Sequence, residues 1–72
     1  MKILTKNIRY IRKQRGVSQE LFADDLSVTR GRICAYECNK AIPTLEFIIK
    51  LSEYSKLSID TLVKENLDKL EQ

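Results

Sequence analysis

With 72 residues, the chain has room for one small domain, and a core of that size is marginal unless its helices pack efficiently. Apolar residues make up 43% and charged residues 32%, with two glycines and one proline, a balance that excludes a disordered chain, a linker-rich chain and a β-sandwich. The net charge of +3 is unevenly spread: residues 1–40 carry nine Lys/Arg and four Asp/Glu, residues 41–72 four and six, which fits one face turned to a polyanion and equally an uneven solvated surface.

The elements follow from apolar spacing and caps. Leu4, Ile8 and Ile11 recur at i, i+4, i+7 and predict a first helix, with Lys6, Arg9 and Lys13 on its other faces. Gly16 stops it, because glycine reaches the left-handed conformation that closes many helices. Ser18 is a good N-cap for a second helix over about Gln19–Leu26, with Phe22, Ala23 and Leu26 inward. After a Ser27-Val28 turn, Thr29 caps a third helix over about Arg30–Glu37, with Ile33 and Tyr36 facing the core and Cys34 filling a small packing site beside helix two. Asn39 can take the left-handed turn that ends it. Ala41-Ile42-Pro43 is extended, since a residue before proline is pushed out of the helical region. Thr44 caps a fourth helix over about Leu45–Tyr54, whose inward stripe is read as Leu45, Ile48, Ile49 and Ser52. Ser58 caps a fifth from Ile59, with Leu62 and Val63 inward, and Leu67 and Leu70 carry the apolar rhythm into a tail.

These spacings predict an all-α, compact five-helix domain over residues 1–66. Residues 67–72 form a C-terminal tail that either extends a dimer surface or leads into a further region. About three residues join helices two and three. Helices joined so tightly must cross at a large angle, which is the helix-turn-helix arrangement.

The run Gly16-Val17-Ser18-Gln19-Glu20-Leu21-Phe22-Ala23-Asp24-Asp25-Leu26-Ser27-Val28-Thr29-Arg30 resembles the Cro/repressor-type (XRE, lambda-repressor-like) helix-turn-helix. Ile33-Cys34-Ala35-Tyr36-Glu37-Cys38-Asn39-Lys40-Ala41-Ile42-Pro43-Thr44-Leu45 resembles the block that follows it in that family, and Ser58-Ile59-Asp60-Thr61-Leu62 its closing element. The likeness covers roughly residues 4–64. It implies double-stranded DNA as partner, Gln19 as a backbone anchor, and an Arg12–Glu37 pair tying the recognition helix to the first helix.

In such motifs the N-terminal residues of the recognition helix meet base edges. Arg30, Gly31 and Arg32 are therefore the expected base contacts, with Ala35 four residues beyond Gly31 on the same face. An arginine fork can engage two acceptors on guanine, and Ala35 can touch only a thymine methyl. Gly31 has no side chain where the family often places a base-reading one, so readout is expected to be sparse and to lean on DNA shape. Gln19, Thr29, Asn39 and Lys40 are the expected phosphate contacts; Gln19 opens helix two, where outward N–H groups favour an anion.

Paired half-sites about 34 Å apart call for a homodimer. Ile59, Leu62, Val63, Leu67 and Leu70 are the expected dimer surface. The chain reads as a transcriptional regulator, most simply a repressor; the alternative is an antitoxin or protein-binding module on the same fold. No enzyme is expected: there is no His, no glycine-rich phosphate loop and no paired acid in an evident cleft. No cofactor or metal is expected either, since two cysteines and no His fall short of a tetrahedral zinc site. Cys34 and Cys38 then read as free thiols of a reducing, cytoplasmic compartment. Met1 to Lys6 lacks the apolar stretch of a signal peptide.

Overall fold

The computed structural model describes residues 2–70, apart from the Leu70 side chain. It is all-helical among these residues: α1 (Lys2–Arg15), α2 (Gln19–Asp25), α3 (Arg30–Glu37), α4 (Leu45–Ser55), α5 (Ile59–Lys64) and a single-turn α6 (Leu67–Leu70). The five expected helices are present, and α6 follows them. None of the helices is long and apolar enough to cross a membrane.

Local chemistry sets the helix ends. Ser18, Thr29, Thr44 and Ser58 are extended in backbone, and each side-chain oxygen accepts from the N–H three residues on, at 3.1–3.2 Å. The first three helices close in one way. At the end of α1 the Gly16 N–H donates to Lys13 O and the Val17 N–H to Arg12 O. Ser27 and Val28 repeat this on Asp24 and Ala23, and Asn39 and Lys40 on Tyr36 and Ala35. The pivots Gly16, Ser27 and Asn39 have φ of 66°, 57° and 60°. Ser27 takes this conformation without glycine's freedom; it swings the chain directly from the end of α2 to the Thr29 cap of α3.

α1 packs against α3, α5 and α6, α2 against α3, and α4 against α5. Leu4, Ile8, Ile11, Phe22, Ala23, Leu26, Ile33, Tyr36, Phe47, Ile48, Leu51, Leu62 and Leu67 form one continuous core. Tyr36 and Phe47 meet at 4.8 Å between ring centroids and lock α3 to α4. Phe22 meets Tyr54 edge-on at 5.5 Å, joining α2 to the end of α4.

Three expectations about facing are corrected. On α4 the inward residues are Phe47, Ile48 and Leu51, while Leu45 and Ile49 remain 66% and 43% exposed. Cys34 is exposed and fills no packing site beside α2. Leu62 and Leu67 belong to the monomer core, fully buried and 8% exposed, so neither is a dimer surface. Ile59 and Val63 keep partial exposure, and the Leu70 side chain lies outside the described residues.

Asn7 holds the C-terminal turn in place. It shares the buried face of α1, three residues after Leu4 and four before Ile11, and is 1% exposed. Its Nδ2 donates to the carbonyls of Leu62 at 2.8 Å and Glu65 at 2.7 Å, and its Oδ1 accepts from the Leu67 N–H at 3.2 Å. Carbonyls that α5 leaves orphaned, and an orphaned N–H at the start of α6, are thereby satisfied by one side chain.

Candidate nucleic-acid interface

α3 is eight residues long, about 12 Å at 1.5 Å per residue, close to the width of the DNA major groove. Ile33 and Tyr36 are buried and fix its rotation. Arg30 and Gly31 are exposed at its N-terminal end. A Cβ on Gly31 would meet Thr29 Oγ1 at 3.9 Å, an ordinary contact, so packing within the monomer does not demand glycine there. The position costs about 1 kcal/mol of helix propensity against alanine and leaves the outer face open for close approach.

The expected base contacts divide. Arg32 is exposed and leans towards α4: its Nη1 donates to the Tyr36 hydroxyl at 3.4 Å, and it borders a cleft shared with Thr29, Thr44, Glu46 and Lys50. Ala35 is half-buried. Cys34 is exposed instead, four residues from Arg30 and three from Gly31. The spacing from the inward Ile33 and Tyr36 already points Cys34 outward, against the expectation that it packs beside helix two. The outer face of α3 therefore carries Arg30, Gly31 and Cys34, with Cys38 at its end.

The expected phosphate contacts flank this face at different points of the scaffold. Thr29 is exposed, and its oxygen is engaged in capping α3. Lys40 is exposed just past the left-handed Asn39. The Asn39 Oδ1 accepts from the Thr5 hydroxyl at 3.4 Å, which steadies the turn on α1. Gln19 is half-buried and its Nε2 donates to Glu37 Oε1 at 3.2 Å.

Glu37 is thereby the junction of three helices. Its carboxylate accepts from Arg12 Nε at 2.7 Å and from Arg12 Nη2 at 3.1 Å, a two-point fork. Arg12 also donates from Nη1 to the Val17 carbonyl at 3.0 Å. The side chains are 15% and 4% exposed, so the pair is shielded from solvent. It holds the C-terminal end of α3 against α1 while the N-terminal end projects outward.

A short exposed helix with an arginine at its outer N-terminal end, joined to the preceding helix through a four-residue turn, defines a helix-turn-helix module. The chain belongs to the helix-turn-helix domain family, whose model matches residues 5–67. It is similar to YqaE of Bacillus subtilis strain 168, described as an uncharacterized HTH-type transcriptional regulator, at 32% identity over 62 residues. That match covers 86% of this chain and 53% of the relative. It is also similar to YonR of the same organism, an SPbeta prophage-derived uncharacterized HTH-type transcriptional regulator, at 37% identity over 59 residues, 82% of this chain and 55% of the relative. The chain thus spans about half the length of the curated relatives it matches. No solved structure gives a significant match.

Proposed function

We propose that this chain is a Cro/repressor-type transcriptional regulator of the cytoplasm, a repressor in its simplest form, that lays α3 in the major groove of double-stranded DNA. The observation that carries the reading is the outer face of α3: Arg30 exposed beside an unobstructed Gly31, on a helix braced from behind by Arg12, Glu37 and Gln19. The similarity to two proteins described as HTH-type transcriptional regulators supports it. Arg30 reads a guanine edge. Arg32, Thr29, Asn39 and Lys40 set the register on phosphates, and Ala35 borders the groove. Gln19 takes part through its second N–H, since a carboxamide has two and one goes to Glu37. Catalysis has no part in this function.

Selection of bound fragments from random duplexes supplies the operator for the test. On that operator, log affinity should fall with log salt with a slope steeper than about −3, because phosphate contacts release counterions. Arg30→Ala should weaken the operator by roughly 5–150-fold, the effect of one bidentate base contact, and flatten preference at a single base pair. Affinity unchanged by salt, or an Arg30→Ala variant with full specificity, would rule the reading out.

Homodimerisation completes it, because one sparse recognition helix binds weakly alone. Ile59, at 37% exposure, and the half-buried Val63 remain on α5 for this contact, and Leu45 and Ile49 add apolar surface on α4. Size exclusion with light scattering at micromolar concentration should give twice the chain mass, and Ile59→Asp should return it to the monomer. A wild-type protein that is monomeric there would remove the dimer from the proposal.

A further inference from the structure

The two cysteines of the chain, Cys34 and Cys38, are both free and both exposed. Cys34 lies within α3, and Cys38 is its C-cap, with φ −91° and ψ 1°. The Cys38 N–H donates to the Cys34 carbonyl at 2.9 Å, so the helical register holds between them. Residues in that register share one face, with Cβ atoms about 5–6 Å apart. A disulfide needs Cβ atoms about 3.5–4.5 Å apart, so direct oxidation would distort the last turn of α3. One bridging atom, with sulfur–metal bonds near 2.3 Å on each side, spans the gap without unwinding the helix.

The donor set limits what that atom is. Two thiolates and no third neighbour cannot complete a tetrahedral site, and no group of three His, Cys, Asp or Glu side chains fit to hold a metal occurs among the described residues. Soft thiolate ligands select soft ions, of which monovalent copper is the biological example. We propose that Cys34 and Cys38 form a two-thiolate site for a soft monovalent metal ion, and that its occupation releases α3 from DNA. The second half rests on the DNA-binding reading above.

The chemistry balances without an electron transfer. Each S–H bond breaks, both protons go to water, and two sulfur–metal bonds form. Two neutral thiols become a bis-thiolate complex with one net negative charge. That charge sits on the outer face of α3, beyond Arg30 and Gly31, where it opposes the phosphates. The ion also adds bulk on the face where Gly31 is exposed.

Anaerobic titration with cuprous ion against a chromophoric chelator, without DNA, should show one ion per chain and a thiolate-to-copper band in the ultraviolet. Cys34→Ser and Cys38→Ser should each lose this tight binding. One equivalent should weaken operator binding at least about tenfold in the wild type, by opposing phosphate contact, and leave the Cys34→Ser/Cys38→Ser double variant unchanged. Absence of stoichiometric binding, single-serine variants that bind as well as wild type, or an ion shared between two chains would overturn the site. A loaded protein that keeps its DNA affinity would overturn the switch. The metal titration uses no DNA, so failure of the DNA-binding reading is separately visible as no operator binding in the metal-free protein.

Discussion

Replacing Asn7 with leucine is expected to destabilise the fold by on the order of 3 kcal/mol, although leucine matches its size and suits a buried position. The cost comes from what Asn7 satisfies. Two carbonyls, Leu62 and Glu65, and the Leu67 N–H lose their partner together. A buried polar group left unmade costs about 1–3 kcal/mol, and water reaching the partly exposed Glu65 end recovers some of it. A domain of this length has roughly 4–11 kcal/mol in total, so the loss is a large share. It corresponds to a drop in melting temperature of about 12–24 °C. Urea unfolding measures it directly, and hydrogen exchange should show the Leu67 amide among the first to lose protection. A change below about 1 kcal/mol would mean that the leucine's apolar transfer offsets the lost bonds and that Asn7 is not a structural tie.

Glu37→Ala is expected to cost about 2–4 kcal/mol, a little under the range for breaking a fully buried pair because Arg12 keeps partial access to water. Arg12 would retain its bond to the Val17 carbonyl but lose both arms of the fork, and Gln19 would lose its acceptor. The effect on stability should exceed the effect on DNA affinity measured where the variant is still folded, since Glu37 lies behind the outer face of α3. A double-mutant cycle with Arg12→Ala isolates the pair, and its coupling should be the larger part of either single effect. An unchanged melting temperature for Glu37→Ala would refute the bracing role. The charge pair need not make the fold more stable than an apolar substitute would. Its contribution is to hold three helices at one point, which sets how α3 projects.

Each N-cap is a hydroxyl answering an N–H three residues away, and Gly16 and Asn39 close helices through bonds within their own turn. Such signals are complete within a few residues, so Ser18, Thr29, Thr44 and Ser58 mark their helices without any knowledge of the rest. Ser27 was the exception. It occupies a left-handed turn that residue type alone does not announce, and only the short spacing between α2 and α3 betrays it.

Facing is different, because it depends on a partner. On α4, Leu45, Ile48, Ile49 and Ser52 make one helical stripe and Phe47, Ile48 and Leu51 another, with Ile48 common to both; periodicity permits either, and the position of Tyr36 selects the one containing Phe47. Leu67 could be tail or core, and contact of α6 with α1, sixty residues away in sequence, makes it core. Asn7 stood on the buried face of α1 with its partners equally distant along the chain. The outer face of α3 changed in the same way: Ala35 is half-buried, Cys34 is exposed beside Arg30, and the exposed Arg32 leans to the Tyr36 hydroxyl. The sequence by itself determined that the chain is helical, where its first five helices begin and end to within a residue or two, and that a tight turn sets α3 against α2. Only the tertiary structure decided which side of each helix is hidden, because burial is settled by the summed contacts of distant residues and not by any signal within one turn.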